Sequence, residues 1–231
     1  MVTSLHRHIW RRVRAAYYAF GLARLPFGET LGRAVSNWEI AQGFGDSPKA
    51  KSKWDAEYRG GLWDYMHREI ARNWVLIGYM DAFRGGGEYL EIGCGDGVLF
   101  EHFKRLGYIR YVGVDISDVA IEKLRPYNNH CTDFSQGDGD VYDPVGHFDV
   151  IVFNESLFYL RDPVRSLKRY AEALKPGGLF IVSNYTASRR SLAVLHDAKQ
   201  AFEILNEAKT TEGSMSWLCT VLKQRSSPTL P

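Results

Sequence analysis

The stretch Tyr89-Leu90-Glu91-Ile92-Gly93-Cys94-Gly95-Asp96-Gly97 limits what this chain can fold into more than any other. A short apolar strand runs straight into three glycines within five positions. A helix pattern follows at once over residues 97–106, with Val98, Phe100, Phe103 and Leu106 at helical spacing. Glycines between a strand and a helix let the backbone turn tightly and let a ligand come close to it. Such a unit buries both faces of its strand, which requires parallel neighbours.

The rest of the chain supplies those neighbours. Tyr111-Val112-Gly113-Val114-Asp115 reads as a second strand and residues 117–125 as a helix. Phe148 to Phe153 is a nearly continuous apolar strand. Residues 162–174 are a helix closed by Lys175-Pro176-Gly177-Gly178, and Leu179 to Ser183 is the next strand. A helix at about 187–201 and strands near 204–211 and 216–223, paired as an antiparallel edge hairpin, complete the sheet. The expectation is an α/β fold: a Rossmann-like, doubly wound, mostly parallel sheet of seven strands. Upstream, residues 5–25 carry Leu5, Ile9, Val13, Ala16, Tyr17 and Phe20 at helical spacing, residues 29–60 read as irregular, and a second helix is expected from Trp63 to Phe83. The domain reading is an N-terminal helical extension (1–50), a lid and first helix (51–88), and a Rossmann-like core (89–231).

Composition narrows the function classes. A net charge of +2 is close to balance, so the main domain lacks the basic surface that nucleic acid requires. Residues 1–28 hold Arg7, Arg11, Arg12, Arg14 and Arg24 and no acid, so segment 5–25 has a second reading, as a contact with a membrane surface or a partner protein. Three cysteines without a CxxC pair point to a reducing compartment, hence a cytoplasmic, optionally membrane-peripheral, location. The histidines show no metal-ligand spacing, and no metal site is expected.

Two ligand classes compete for the glycine loop. A dinucleotide site wants GxGxxG with the pyrophosphate on the helix N-terminus. This loop reads GxGxG with Glu91 two positions ahead of Gly93. That acid repels a pyrophosphate and suits the ammonium or sulfonium of S-adenosylmethionine. Asp115 lies 22 residues after Gly93, where an acid accepts both ribose hydroxyls.

With these residues the sequence resembles the class I S-adenosylmethionine-dependent methyltransferases, over roughly residues 50–223, in particular their small-molecule or glycan branch. The resemblance implies cofactor contacts at Glu91, Gly93, Cys94, Gly95, Gly97, Asp115 and Ile116. It gives Asp138, in Gln136-Gly137-Asp138-Gly139-Asp140-Val141, the adenine amino group, and Gly139 a backbone contact. Asn154 ends the fourth strand beside the cofactor. Lys53-Trp54-Asp55-Ala56-Glu57-Tyr58 and Gly61-Leu62-Trp63-Asp64-Tyr65 look like the branch's N-terminal lid, whose aromatics, Tyr58 and Trp63, close over the cofactor. Cys94 reads as a small loop filler rather than a reactive thiol.

Methyl transfer from a sulfonium is an in-line displacement, so orientation carries much of the rate. An oxygen nucleophile also needs a base, an amine only a free lone pair. Many relatives place a histidine in the loop resembling Asn154-Glu155-Ser156-Leu157-Phe158-Tyr159-Leu160. Here that position is Tyr159, which leaves Glu155 and Tyr159 as the catalytic candidates, with His130 and His147 behind them. The expected activity is methylation of a hydroxyl on a small molecule, sugar or glycan. The alternatives are N-methylation of an amino sugar or other amine, and a non-catalytic cofactor-binding partner subunit.

Overall fold

The computed structural model describes residues 49–68 and 70–225. The arginine-rich segment 5–25, its membrane or partner reading, and nearly all of the 1–50 extension lie outside the described residues. The chain runs α1 (Lys51–Arg59), a 3-10 turn (Asp64–Arg68), α2 (Ala71–Arg84), β1 (Glu88–Ile92), α3 (Val98–Phe103), β2 (Arg110–Asp115), α4 (Asp118–Leu124) and β3 (Thr132–Gln136). It continues through β4 (Phe148–Asn154), α5 (Pro163–Tyr170), β5 (Leu174–Tyr185), α6 (Arg189–Ala201), β6 (Glu203–Glu212) and β7 (Met215–Lys223).

The seven strands lie in the order β3-β2-β1-β4-β5-β7-β6. Pairings among β1 to β5 are parallel, and β7 runs antiparallel to both β5 and β6. The doubly wound expectation and the edge hairpin therefore both hold. The chain leaves β1 toward β2 and β3, then returns to β4 on the other side. That reversal opens a crevice at the carboxyl ends of β1 and β4, the default ligand position in such sheets.

Alternation along β1 sorts its side chains. Leu90 and Ile92 join the layer under α5 and α6, with Val114, Phe153, Leu167, Tyr170 and Leu195. Tyr89 joins the opposite layer with Leu76 and Met80 of α2, Phe100 and Phe103 of α3, and Tyr111. Period two puts Glu91 on the Tyr89 side. A carboxyl group is thus driven into the α2–α3 layer rather than into solvent.

Three elements differ from expectation. Residues 51–59, expected as irregular, form α1, because ion pairs rather than an apolar stripe hold it: Lys51 bridges Asp55 and Asp118, and Ser117 donates to Asp55 at 2.7 Å. The expected helix over 63–83 is divided. The 3-10 turn comes first, and α2 buries Arg72, Asn73, Leu76, Ile77 and Met80, while Ile70 and Trp74 lie exposed. Strand β3 has few apolar residues, only Thr132 and Phe134 facing inward, which hides an edge strand from a hydrophobicity reading. Among the described residues no helix is long and apolar enough to cross a membrane.

Candidate functional site

The crevice floor is the glycine loop. Gly93 and Gly95 have φ of +75° and +57°, in the left-handed region open to glycine. A Cβ on Gly93 would sit 2.5 Å from the Ser156 side chain, and one on Gly95 would sit 2.7 Å from the Tyr58 hydroxyl. The loop is therefore pinched between the segment after β4 and the lid helix α1. Ser156 Oγ completes the pinch by donating to the Ile92 carbonyl at 2.5 Å.

Asp115 holds the loop from below. Its Oδ2 accepts from Gly95 N at 2.9 Å and its Oδ1 from Ser117 N at 2.8 Å. Burial outweighs those two bonds and pushes its carboxyl up to about 6. Glu91 is buried (1 % exposed), and the Tyr111 hydroxyl donates to its Oε2 at 2.5 Å. Burial, opposed by the Tyr111 bond and reinforced by Asp115, pushes Glu91 up to about 8.

One residue beside Glu91 escaped the sequence reading. Arg72, in the first turn of α2, is 2 % exposed and stacks 5.1 Å from the Trp217 ring. Its Nε and Nη2 are buried and have no hydrogen-bond partner among the described residues. Unmade hydrogen bonds on a buried guanidinium are costly, so these donors call for an anion. Arg72 is also close enough to Glu91 to pull that carboxyl down against burial. A buried cation with spare donors next to a buried acid suits a zwitterionic amino-acid head. The next residue, Asn73, accepts from Asn154 Nδ2 at 3.1 Å, and Ser183 Oγ donates to Asn154 Oδ1 at 3.0 Å. This network fixes Asn154 at the end of β4. An apolar-periodicity reading passes over Arg72 and Asn73 because they occupy helix positions where core residues are expected.

Asp138 and Gly139 follow β3 at the other end of the crevice. Asp138 Oδ1 accepts from Asp140 N at 2.9 Å and its Oδ2 lies 3.7 Å from Arg161. The Gly139 carbonyl accepts from the Tyr170 hydroxyl at 2.8 Å, and a Cβ there would meet Ile92 at 2.9 Å. The turn thus abuts the end of β1, and Gly137 N donates to the Asp115 carbonyl. Ile116 lies half-buried between these groups, its carbonyl accepting from Gln136. Cys94 is buried against Gly113, and burial pushes its thiol well up, so it packs rather than reacts.

Aromatic side chains of α1 and of the turn after it pack together beside the glycine loop. Trp54 packs edge-on against Tyr159 at 4.9 Å and lies 5.7 Å from Trp63, which lies 6.4 Å from Tyr58. Burial and the nearby Asp115 and Asp96 raise the Tyr58 hydroxyl well above its ordinary range. The 3-10 turn is tied down by His67, whose Nε2 lies 3.1 Å from Asp96 Oδ1. Lys123 holds the other Asp96 oxygen at 2.8 Å. Glu155, the only non-glycine among the described residues with positive φ (+57°), donates its backbone N–H to Ser183 Oγ at 2.9 Å. Strained backbone of this kind clusters at functional sites. The structure therefore brings the expected positions of the glycine loop, of β2 and β4, of the turn after β3 and of residues 58–63 around one crevice, and keeps His130 apart, in a pocket beside Arg110 and Cys131. Among the described residues no group of histidines, cysteines and acids is placed to hold a metal ion.

The raised Glu91 and Asp115 carboxyls carry a pH prediction. In the free protein they hold protons up to about 8 and about 6 respectively. A cationic ligand at Glu91 needs the carboxylate and must expel that proton, so affinity rises with pH. Affinity for S-adenosylmethionine should grow by up to roughly tenfold per unit below the raised value. Calorimetry in buffers of different ionisation enthalpy should show proton release. An affinity flat from about pH 6 to pH 8 would rule out ionisation of Glu91 on binding.

A family model described as a methyltransferase domain matches residues 62–218. A ubiquinone biosynthesis O-methyltransferase of Bradyrhizobium sp. (strain ORS 278) is 38% identical over 130 residues, 55% of this chain and 49% of that protein. The chain thus spans about half the length of the curated relatives it matches. The N-methyltransferase NodS of Bradyrhizobium japonicum WM9, solved with S-adenosyl-L-homocysteine, superposes with a TM-score of 0.59 at 21% identity, over 70% of this chain and 88% of that one. A Haloferax volcanii protein solved in complex with the methyltransferase activator Trm112 gives a TM-score of 0.61 at 18% identity, over 74% and 98%.

Proposed function

Because the chain belongs to the S-adenosylmethionine-dependent methyltransferase family, its domain matched over residues 62–218, we propose that it transfers a methyl group to a hydroxyl of a small organic acceptor. The observation that carries the cofactor half of this reading is Arg72, whose spare buried donors sit beside Glu91. S-adenosylmethionine, when bound, supplies a methyl group already activated on a sulfonium. Arg72 binds its carboxylate, Glu91 faces its ammonium, Asp115 takes the ribose hydroxyls and Asp138 the adenine amino group. Gly93, Gly95 and Gly97 allow the close approach, and Asn154, held by Asn73 and Ser183, lines the floor. Tyr58 and Trp63 exclude water from above.

Oxygen as the acceptor atom is supported by the name of the relatives, which are O-methyltransferases of ubiquinone biosynthesis. That name favours a quinone-related acceptor over a sugar or glycan. Glu155 is the group assigned to take the acceptor proton: it follows Asn154 directly, its backbone is strained, and one of its carboxylate oxygens is buried. Tyr159, edge-on to Trp54, orients the acceptor. The three cysteines are free thiols, in keeping with a cytoplasmic enzyme.

The test is calorimetric titration with S-adenosylmethionine, S-adenosylhomocysteine and NAD, followed by methyl transfer to catechol acceptors. Binding of the adenosyl ligands without NAD supports the reading, and NAD binding alone defeats it. Glu155→Gln should lower kcat by about a hundredfold while leaving cofactor Kd within about twofold, because a general base contributes at that scale. A rate insensitive to this change at every pH points instead to an amine acceptor. That second reading has one observation in its favour, the Lys49 ammonium held among the rings of Trp54, Trp63 and Tyr159.

A further inference from the structure

Lys49, at the entrance to α1, points its ammonium into the lid. Its Nζ lies 4.3 Å from the centroid of Trp54, 5.4 Å from that of Trp63 and 5.5 Å from that of Tyr159. Glu57 Oε2 lies 3.0 Å from the same nitrogen. Both side chains are nearly sealed from solvent, at 5 % and 9 % exposed. Three ring faces and a carboxylate around one positive charge make a cation cage, because each ring presents the negative face of its quadrupole. The cage is built from two separate parts of the chain: the lid supplies Trp54, Glu57 and Trp63, and the segment after β4 supplies Tyr159. Tyr159 stands next to Phe158 at 4.5 Å, five residues past the end of β4, so the cage borders the mouth of the crevice.

We propose that Trp54, Trp63, Tyr159 and Glu57 form a binding site for an organic onium ion, a sulfonium or a substituted ammonium, and that Lys49 is its tethered placeholder. The proposal deepens the methyltransferase reading, on which the choice between the two onium sources rests. A tethered cation competes at a high effective concentration, so a free ligand meets a weakened site while Lys49 is in place. The lysine keeps the aromatic walls apart and the carboxylate neutralised until the ligand arrives. Glu57 gives the site its charge preference, and the ring faces favour a diffuse, weakly hydrated cation over a compact, strongly hydrated one.

The full-length chain is titrated with tetramethylammonium chloride at constant ionic strength, with and without S-adenosylhomocysteine, by calorimetry and tryptophan emission. Lys49→Met should bind it at least tenfold more tightly than the wild type. Adding Trp54→Ala to that variant should abolish the gain, while the far-ultraviolet circular dichroism spectrum stays unchanged. A tenfold loss of S-adenosylmethionine affinity in Trp54→Ala, with S-adenosylhomocysteine affinity held, identifies the donor's sulfonium as the natural occupant. Tetramethylammonium binding undisturbed by saturating S-adenosylmethionine identifies an acceptor ammonium instead. Equal affinity in the wild type and Lys49→Met, or saturation that survives Trp54→Ala, overturns the proposal. Absence of any adenosyl-ligand binding defeats the cofactor reading alone, since the cage is read from the cation titration by itself.

Discussion

Replacing Arg72 by methionine should cost about thirtyfold or more in affinity for S-adenosylmethionine and still leave the protein as stable as before, or more so. The two halves of this expectation come from the same two nitrogens. Nε and Nη2 are buried without a partner among the described residues, so the free protein carries their desolvation with no return. Replacing a buried ion pair by apolar groups is often neutral or stabilising by about 1–4 kcal/mol, and the Glu91 carboxyl beside Arg72 keeps its proton up to about 8, so removing Arg72 strands no ionised partner at neutral pH. Losing a charge-assisted partner for a buried carboxylate removes about 2–5 kcal/mol of binding, which is about thirtyfold or more. Arg72 also holds the Glu91 carboxyl down, so R72M should shift the pH dependence of binding to higher pH. Melting temperature and calorimetric Kd read the two halves separately. A variant that melts several degrees lower with unchanged affinity would show that Arg72 serves the fold through Trp217 and not the ligand.

Asp115→Asn should behave in the same direction through a different balance. Asp115 accepts from two backbone N–H groups, yet burial still lifts it from 3.8 to about 6. A carboxyl raised in the folded state stabilises the fold while protonated, below its unfolded value, and that stability is lost as pH rises through the folded value. A shift of this size corresponds to about 3 kcal/mol between the two limits. The D115N protein carries no such titration. Its unfolding free energy relative to wild type should therefore move by about 3 kcal/mol in its favour from about pH 4 to pH 8. Cofactor affinity should fall by roughly 30- to 100-fold, because an amide presents one acceptor where the carboxylate presents two, each such bond being worth about 1–3 kcal/mol. Thermal melts at both ends of that range, with titrations at neutral pH, decide the matter. A stability difference independent of pH would remove the argument.

These two residues also show what the sequence makes legible. Asp115 is found easily, because it ends an apolar strand at a fixed distance from a glycine loop, and strand, loop and acid all leave local marks. The parallel core is legible for the same reason: its strands are uninterrupted apolar runs. Arg72 leaves no such mark. It lies on α2 among residues whose apolar stripe, Trp63 to Trp74, suggests a different buried face, and its place beside Glu91 depends on how α2 packs across β1. The exposed Trp74 and the buried Arg72 invert the usual rule because that end of the helix borders the crevice rather than the core. Strand β3 and helix α1 escape for a related reason, since pairing at a sheet edge and ion pairs to α4 hold them in place of local hydrophobicity. Lys49 and its aromatic neighbours are contacts between distant segments, which no spacing rule reports.

The ion pairs that join lid to floor make that junction sensitive to salt. His67 and Lys123 both reach Asp96 of the glycine loop, and α1 is moored to the start of α4 through Lys51 and Asp55. The cationic partners in these pairs, His67, Lys123 and Lys51, are open to water, where dissolved ions compete with them. Raising the ionic strength should therefore loosen α1 and the 3-10 turn from the glycine loop before it disturbs the sheet beneath.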